Sequence, residues 1–483
     1  MTAALETVVA GARVMLPGAD PHAPPYADIL IRGDRIAAIE GPGELLVPDG
    51  ARVIDASGLL VSPGFVNAHY HSYDVLQKGL LEDMPFDIWA LHSQPAYLGP
   101  RSAREMRLRT LIGAIDCIWH GVTTVQDMNS LVPMDESTLD AALAAYAEAG
   151  LRVVFSIAVR DVAALDIAPF LPAEAPEAVQ ALVRGIPAEA AEQLAFVEAQ
   201  IRRLTPLPPG LRWALSPSGP QRSSRALLEG IADLSRRYAL PVLTHVYETK
   251  AQAAKARALY AAQGGSMLRW LDEVGLLAQA GVGLAHSPAS NLKLKSGLAP
   301  MRRVIDAGVN VALGCDNCSC GDCQNMFTAM KLLCLLAAAS DPNPNGVHAV
   351  DALRAATLGG AKAVGLEGET GVIATGMLAD LVMLDLSDIA YVPLNSAVRQ
   401  VVFAESGRGV HSVMVAGRLV LDAGRITMVD EAELRREADA LMPQFRRDYR
   451  AQAVRAEAAT PWLLEANRRV TADALGLDRY LPG

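Results

Sequence analysis

The stretch VSPGFVNAHYH, residues 61–71, is where the chain changes character. Before it, short apolar runs alternate with turn residues: ETVVAGARVML, then PYADILIRGDRIAAIEG, then GARVIDASGLLVSPG. These read as β-strands and hairpins, with Gly33-Asp34 as one of the turns. After it, apolar runs alternate with segments rich in Ala, Leu and Glu, which is the signature of βα units around a parallel sheet. The strands are read at GVTTVQDM, LRVVFSIAV, LRWALSPS, LPVLTHVYE, GVGLAHSPAS and VNVALGCDN. TLDAALAAYAEAG and SRALLEGIADLSRRYA, lying between them, are helical in composition and end at Gly or before Pro. Beyond about Thr375 the β-pattern returns in MLADLVMLDL and HSVMVAGRLVLDAGRIT. The expected organisation is an α/β chain: a composite β-sandwich from residues 1–62 and 373–430, a TIM-like barrel over 63–372, and a charged amphipathic helical tail over 431–483. Segment 161–192, rich in Ala, Pro and Glu, is expected as an excursion from the barrel.

Composition narrows the function. Of the 483 residues 51% are hydrophobic and 20% charged, with a net charge of −10. That balance argues against nucleic acid or an anionic membrane surface as the main partner. No signal-peptide pattern and no run of about 18 apolar residues is found, so a cytoplasmic protein with reduced thiols is expected. The four cysteines in CDNCSCGDC, residues 315–323, have two readings. Such a run could hold a metal or form a disulfide. The favoured reading is a tightly packed, reduced loop.

His69 and His71 stand two apart at the end of an apolar strand, on one face, where two imidazoles can chelate a metal. Two surface histidines near a turn would give the same spacing. His245 ends the run LPVLT, and Asp316 follows VNVALG. In a parallel barrel the C-terminal strand ends carry the active site. Glu248 stands three residues after His245, on the opposite strand face. It can join the site only if the strand has ended and the chain has turned.

Taken together, these residues resemble the amidohydrolase superfamily over nearly the whole chain. Pro63-Gly64-Phe65-Val66-Asn67-Ala68-His69-Tyr70-His71 is similar to its first-strand motif. Ser287-Pro288-Ala289-Ser290-Asn291-Leu292-Lys293-Leu294, with Ser296-Gly297-Leu298-Ala299-Pro300, is similar to a seventh-strand motif. That motif is typical of methylthioadenosine/S-adenosylhomocysteine deaminases and triazine hydrolases. His245-Val246-Tyr247-Glu248-Thr249, Gly314-Cys315-Asp316 and Ala379-Asp380-Leu381-Val382 fall in register with further motifs. The resemblance implies one divalent metal, zinc or iron, on His69, His71, His245 and Asp316. It implies Glu248 as general acid/base with Asp316 assisting, a small-molecule substrate and a homodimer or homotetramer. The reaction implied is hydrolytic deamination of a nitrogen heterocycle. The alternatives are hydrolysis of an amide, urea, C–Cl or C–S bond in a triazine-like compound, or an inactive structural homologue.

The departures bear on substrate. The family's sixth βα unit, with its catalytic histidine, is expected to be missing, because Leu276-Leu277 runs on through Ala278-Gln279-Ala280-Gly281 into the seventh strand. Ser218 stands where adenosine deaminases of this type carry a histidine, and Asn317 where they carry a glycine. Trp89, His92, Ser218, His286 and Asn317 are the expected substrate-binding residues. Tyr70 and Trp119 are further aromatics near the first two βα loops, with ordinary packing the stronger expectation for Trp119.

Overall fold

The computed structural model describes residues 6–277, 281–340 and 346–472. Strands from both ends of the chain join in one continuous nine-stranded sheet. The joint is an antiparallel pairing of Leu59–Pro63 with Leu381–Asp385. The sheet curls back on itself, so that Arg35 bridges Leu378. Its inner face closes over Val9, Ile29, Ile31, Leu381 and Met383. This is the composite β-sandwich, and neither end of the chain could bury its apolar strands without the other.

The barrel wall begins with four parallel pairings. Phe65–His71 pairs with Val122–Asn129, which pairs with Arg152–Val159, which pairs with Leu211–Trp213 and Ser216–Pro217. Val122–Asn129 is buried at every position, as a parallel strand covered on both faces should be. Residues 241–243 extend the wall through a bridge between Leu215 and Val242. From the other side, Gly283–His286 pairs with Asn310–Leu313, and Asp316–Asn317 closes onto Tyr70–His71.

Between residue 245 and Gly283 no strand stands among the described residues. The helices Lys250–Leu259 and Met267–Glu273 occupy that stretch. Among the described residues the sixth βα unit is absent, as expected, and the wall is open there. Ala278, Gln279 and Ala280, where the sequence runs past the missing unit, lie outside the described residues.

The tail forms one helix, Glu431–Ala472, with Pro443 and Pro461 inside it. Its Ala456, Ala459 and Leu463 pack in one cluster with Trp89 and Leu91 of the helix Phe86–Ser93. Lys250 Nζ donates to the Thr471 carbonyl at 2.6 Å. The tail therefore braces the first βα loop and the helix beside the opening. Segment 161–192 carries the helix Glu177–Arg184, whose Val179 and Val183 join the same cluster. No described helix is long and apolar enough to cross a membrane.

Asp380 ties the barrel to the sheet. Its carboxylate pairs with the Arg152 guanidinium, both side chains being almost fully buried. It also accepts from Thr370 Oγ1 and the Ala416 amide, each at 2.8 Å. Removing one partner of such a pair strands a buried charge, at a cost of about 3–5 kcal/mol. Asp380→Ala should therefore lower unfolding stability by about that amount in denaturant titration. Arg152→Met with Asp380→Leu should lose clearly less. Equal losses would show that the pair matters only for packing.

Candidate active site

His69 and His71 emerge from the last turn of Phe65–His71, on the same face. The neighbouring chain must come very close to His69. A Cβ on Gly314 would lie 2.7 Å from His69 Cβ and 2.8 Å from Ser287 Oγ, so only glycine fits. Two residues on, Asp316 has φ +61°, a left-handed conformation that Asp tolerates better than most residues. Pairing with Tyr70 and a 3.1 Å bond from Gln324 Nε2 to the Asp316 carbonyl hold it there. The left-handed step swings its carboxylate onto the two histidines.

The result is a compact donor set. Asp316 Oδ1 lies 3.4 Å from His69 Nε2 and 3.5 Å from His71 Nε2. His245 Nε2 lies 3.3 Å from His69 Nε2. A tetrahedral ion with ligands at about 2.0–2.1 Å has edges of about 3.3–3.4 Å, which these three separations match. The outer nitrogens are already engaged: His71 Nδ1 donates to the Met128 carbonyl and His245 Nδ1 to that of Ser218, both at 2.6 Å. Those bonds leave Nε2 of each ring as the lone-pair donor. Among the described residues this histidine trio is the only cluster with metal-ligand geometry.

Burial sets the charges. It lowers His71 to about 4, with His69 adding to the effect. It also drives His245 well down, together with His69 and His71. For His69 burial pulls down, but the Asp316 carboxylate outweighs it and the net shift is upward. Asp316 is held ionised despite its burial by His69 and His71. Two rings are thus neutral and ready to ligate near pH 7, and His69 is the ring that holds a proton longest.

Glu248 meets the condition its sequence position imposed. Tyr247 has φ +53°, which breaks the extended run after His245 and turns the chain. Glu248 then lines the same cavity as His71, His245 and Asp316. Gln252 clasps it, donating from Nε2 to Glu248 Oε2 at 3.1 Å and accepting from the Glu248 amide at 2.9 Å. Burial raises its carboxyl to about 7, the Asp316 charge adding to this and Arg222 opposing it. A carboxyl near neutrality can both take and give a proton.

The cavity in front of the ligand set has a volume of about 210 Å³. Trp89, Ser218 and Asn317 line it, as expected from the sequence. Three other residues lie elsewhere. His92 is buried on the helix Phe86–Ser93, lines neither cavity at the ligand set, and feels the charge of Glu457 on the tail helix. Tyr70 points away from the two histidines, with its hydroxyl over Gly113. Trp119 donates to Glu431 Oε1 on the tail. His286 lines a second cavity instead. The CDNCSCGDC cysteines are free thiols. Asp74, buried, accepts from the amides of Cys318 and Ser319 at 3.0 Å each, and Trp89 Nε1 donates to Ser319 Oγ at 2.8 Å. That loop packs behind Asp316 and Asn317, which line the cavity.

Sequence reasoning missed the opposite wall. Arg222 lines the cavity with Tyr73 and Phe86. It donates to Asp166 Oδ2 at 2.7 Å and lies 5.1 Å from the Phe86 ring centroid. Lys255 reaches the other Asp166 oxygen at 3.2 Å. No sequence signal showed where the Arg222 guanidinium goes, because Asp166 lies 56 positions away.

Comparison with known proteins agrees with this geometry. The amidohydrolase family profile matches residues 60–420. The chain is 30% identical over 444 residues to a 5-methylthioadenosine/S-adenosylhomocysteine deaminase of Pyrococcus furiosus, covering 84% of this chain and 96% of that one. Its fold is similar to a zinc-bound adenosine deaminase from Xanthomonas campestris, with a TM-score of 0.78, 26% identity, and 92% of this chain and 99% of the other covered. A triazine hydrolase from Arthobacter aurescens, 23% identical, shares the fold at a TM-score of 0.78, over 91% of this chain and all of the other. The chain belongs to the amidohydrolase family.

Proposed function

We propose that this chain is a zinc-dependent aminohydrolase that removes an amino group from a nitrogen heterocycle. The observation that carries the reading is the left-handed turn at Tyr247, which sets Glu248 beside His71, His245 and Asp316 in one cavity. His69, His71, His245 and Asp316 would hold the ion. The cluster of three imidazole nitrogens, with the Asp316 carboxylate 3.4–3.5 Å from two of them, supports zinc, as does zinc in the Xanthomonas campestris relative. When bound, the metal supplies Lewis acidity that makes water nucleophilic near neutral pH.

Glu248 takes a proton from the attacking water as its oxygen bonds to the ring carbon. It then delivers a proton to the departing nitrogen as the C–N bond breaks. Tyr73, Phe86 and Trp89 give the cavity aromatic walls suited to a flat ring. His71 and Asp316 are buried and His69, His245 and Glu248 partly so, and the reduced solvent around them strengthens each charge interaction. The deaminase relative supports a purine-like ring. Ser218, in place of a histidine, marks a pocket altered from the adenosine type. The free thiols support a reducing, cytoplasmic setting.

Two measurements test this reading. Glu248→Gln should lower turnover by about 10²–10⁴ in an ammonia-release screen of purines, pterins, pyrimidines and triazines. It should also keep one zinc per chain by elemental analysis. Retained turnover would remove Glu248 from the mechanism, and lost zinc would make it a ligand. The second is the pH dependence of zinc affinity. His69 is raised above its ordinary value, while His71 is already neutral above about 4 and His245 lies well below its ordinary value. Protons therefore compete at one ring first. Zinc affinity should fall about tenfold per pH unit between pH 6 and 5, with one proton released per zinc. A slope near three would mean that all three rings titrate together.

A further inference from the structure

Directly after Glu248 the chain enters the helix Lys250–Leu259, with Thr249 as its cap. Thr249-Lys250-Ala251-Gln252 has the spacing of a capping box. One half of the box is ordinary: Thr249 Oγ1 accepts from the Gln252 amide at 3.1 Å. In the usual second half, the third helical residue reaches back to the amide of the capping residue. Gln252 reaches one residue further. Its Oε1 accepts from the Glu248 amide at 2.9 Å, and its Nε2 donates to Glu248 Oε2 at 3.1 Å.

One side-chain amide thus binds both the backbone and the carboxylate of the same residue. Gln252 is 0% exposed, so water does not compete for either bond. A buried amide donor left without an acceptor is costly, which keeps Nε2 on the carboxylate. The backbone N–H of Glu248 needs an oxygen, so Oε1 must face it and Nε2 must face Oε2. An NH2 group only donates. Glu248 Oε2 therefore receives a hydrogen bond whether the carboxyl is charged or neutral. In a neutral carboxyl the carbonyl oxygen is the better acceptor, so Oε2 takes that part and the proton sits on Oε1. The same two bonds remove rotamer freedom that a glutamate side chain otherwise keeps.

We propose that Gln252 is a positioning residue for the reaction: it holds Glu248 by Oε2, so that Oε1 is the oxygen that takes and gives the proton. This rests on the aminohydrolase reading. The proton passes from the attacking water to Oε1 as the new C–O bond forms. It passes from Oε1 to the departing nitrogen as the C–N bond breaks. Gln252 itself gains and loses no proton.

The test is a double-mutant cycle on the zinc-loaded full chain, with the best substrate of the ammonia-release screen. Gln252→Met keeps the shape of the side chain and removes both bonds. It should lower kcat about 10–10²-fold, since a reacting group displaced by about 1 Å loses that much. KM should stay within about twofold, and one zinc per chain should remain by elemental analysis. In the Glu248→Gln background the same change should alter kcat by less than about twofold, because Gln252 acts only through the carboxylate. Gln252→Glu, which keeps an acceptor for the Glu248 amide and loses the donor, should also lose kcat. Thr249→Ala removes the other half of the box. It should lower the melting temperature and leave kcat within about twofold. Full kcat in either Gln252 variant would overturn the proposal and leave the aminohydrolase reading intact. So would an equal further loss in the Glu248→Gln background, or a matching loss in Thr249→Ala, which would make Gln252 a helix cap alone. Retained turnover in Glu248→Gln by itself would overturn the role given to Glu248, and no turnover of any compound would sink both.

Discussion

Three imidazoles gathered within 4.8 Å, two of them 3.4–3.5 Å from the Asp316 carboxylate, are costly to assemble without a rigid frame. Each must be stripped of water and held against its neighbours. Much of the surrounding structure serves that end. Asp316–Asn317 pairs with Tyr70–His71, so strand closure and ligand placement are one event. Gly314 lets the closing strand approach His69. Carbonyls from two other strand ends, Met128 and Ser218, fix the outer nitrogens of His71 and His245. The backbone thus orients both imidazoles with Nε2 facing the cluster.

The open wall gives this barrel a problem that closed barrels lack. Residues 240–248 are only partly buried for the most part, and the facing strand shows exposed positions at its edge. Stability must come from elsewhere. The composite sheet grips the opposite side of the barrel through the buried Arg152–Asp380 pair. The tail helix clamps the first βα loop and the helix beside the opening. The buried Asp166, shared by Arg222 and Lys255, joins the fourth-strand loop to that same helix. The segment leading to His245 is itself bridged on one side only among the described residues, between Val242 and Leu215.

How far the site could be read in advance varied with the range of the interaction. Spacing of two in a strand already put His69 and His71 on one face, because side-chain alternation is a local property. For Glu248 the same rule gave only a condition, and a single left-handed residue, Tyr247, met it. His92 is two turns of reasoning further away. It is near the site in sequence, but the tail helix, hundreds of residues later, takes up its face of the helix. Trp119 is turned to the tail in the same way. Arg222 gave no local sign, since its carboxylate partner Asp166 lies 56 positions away.

The sequence by itself therefore determined the alternation of strands and helices, the strand-end positions of His69, His71, His245 and Asp316, the two-ended β-sandwich and the loss of the sixth unit. These follow from periodicity, chain length and motif order, which are properties of neighbouring residues. Only the tertiary structure decided which side chains share a cavity and how Glu248 turns into it. Those depend on burial and on contacts between distant segments, where the energy of a charge or a void is set by everything packed around it.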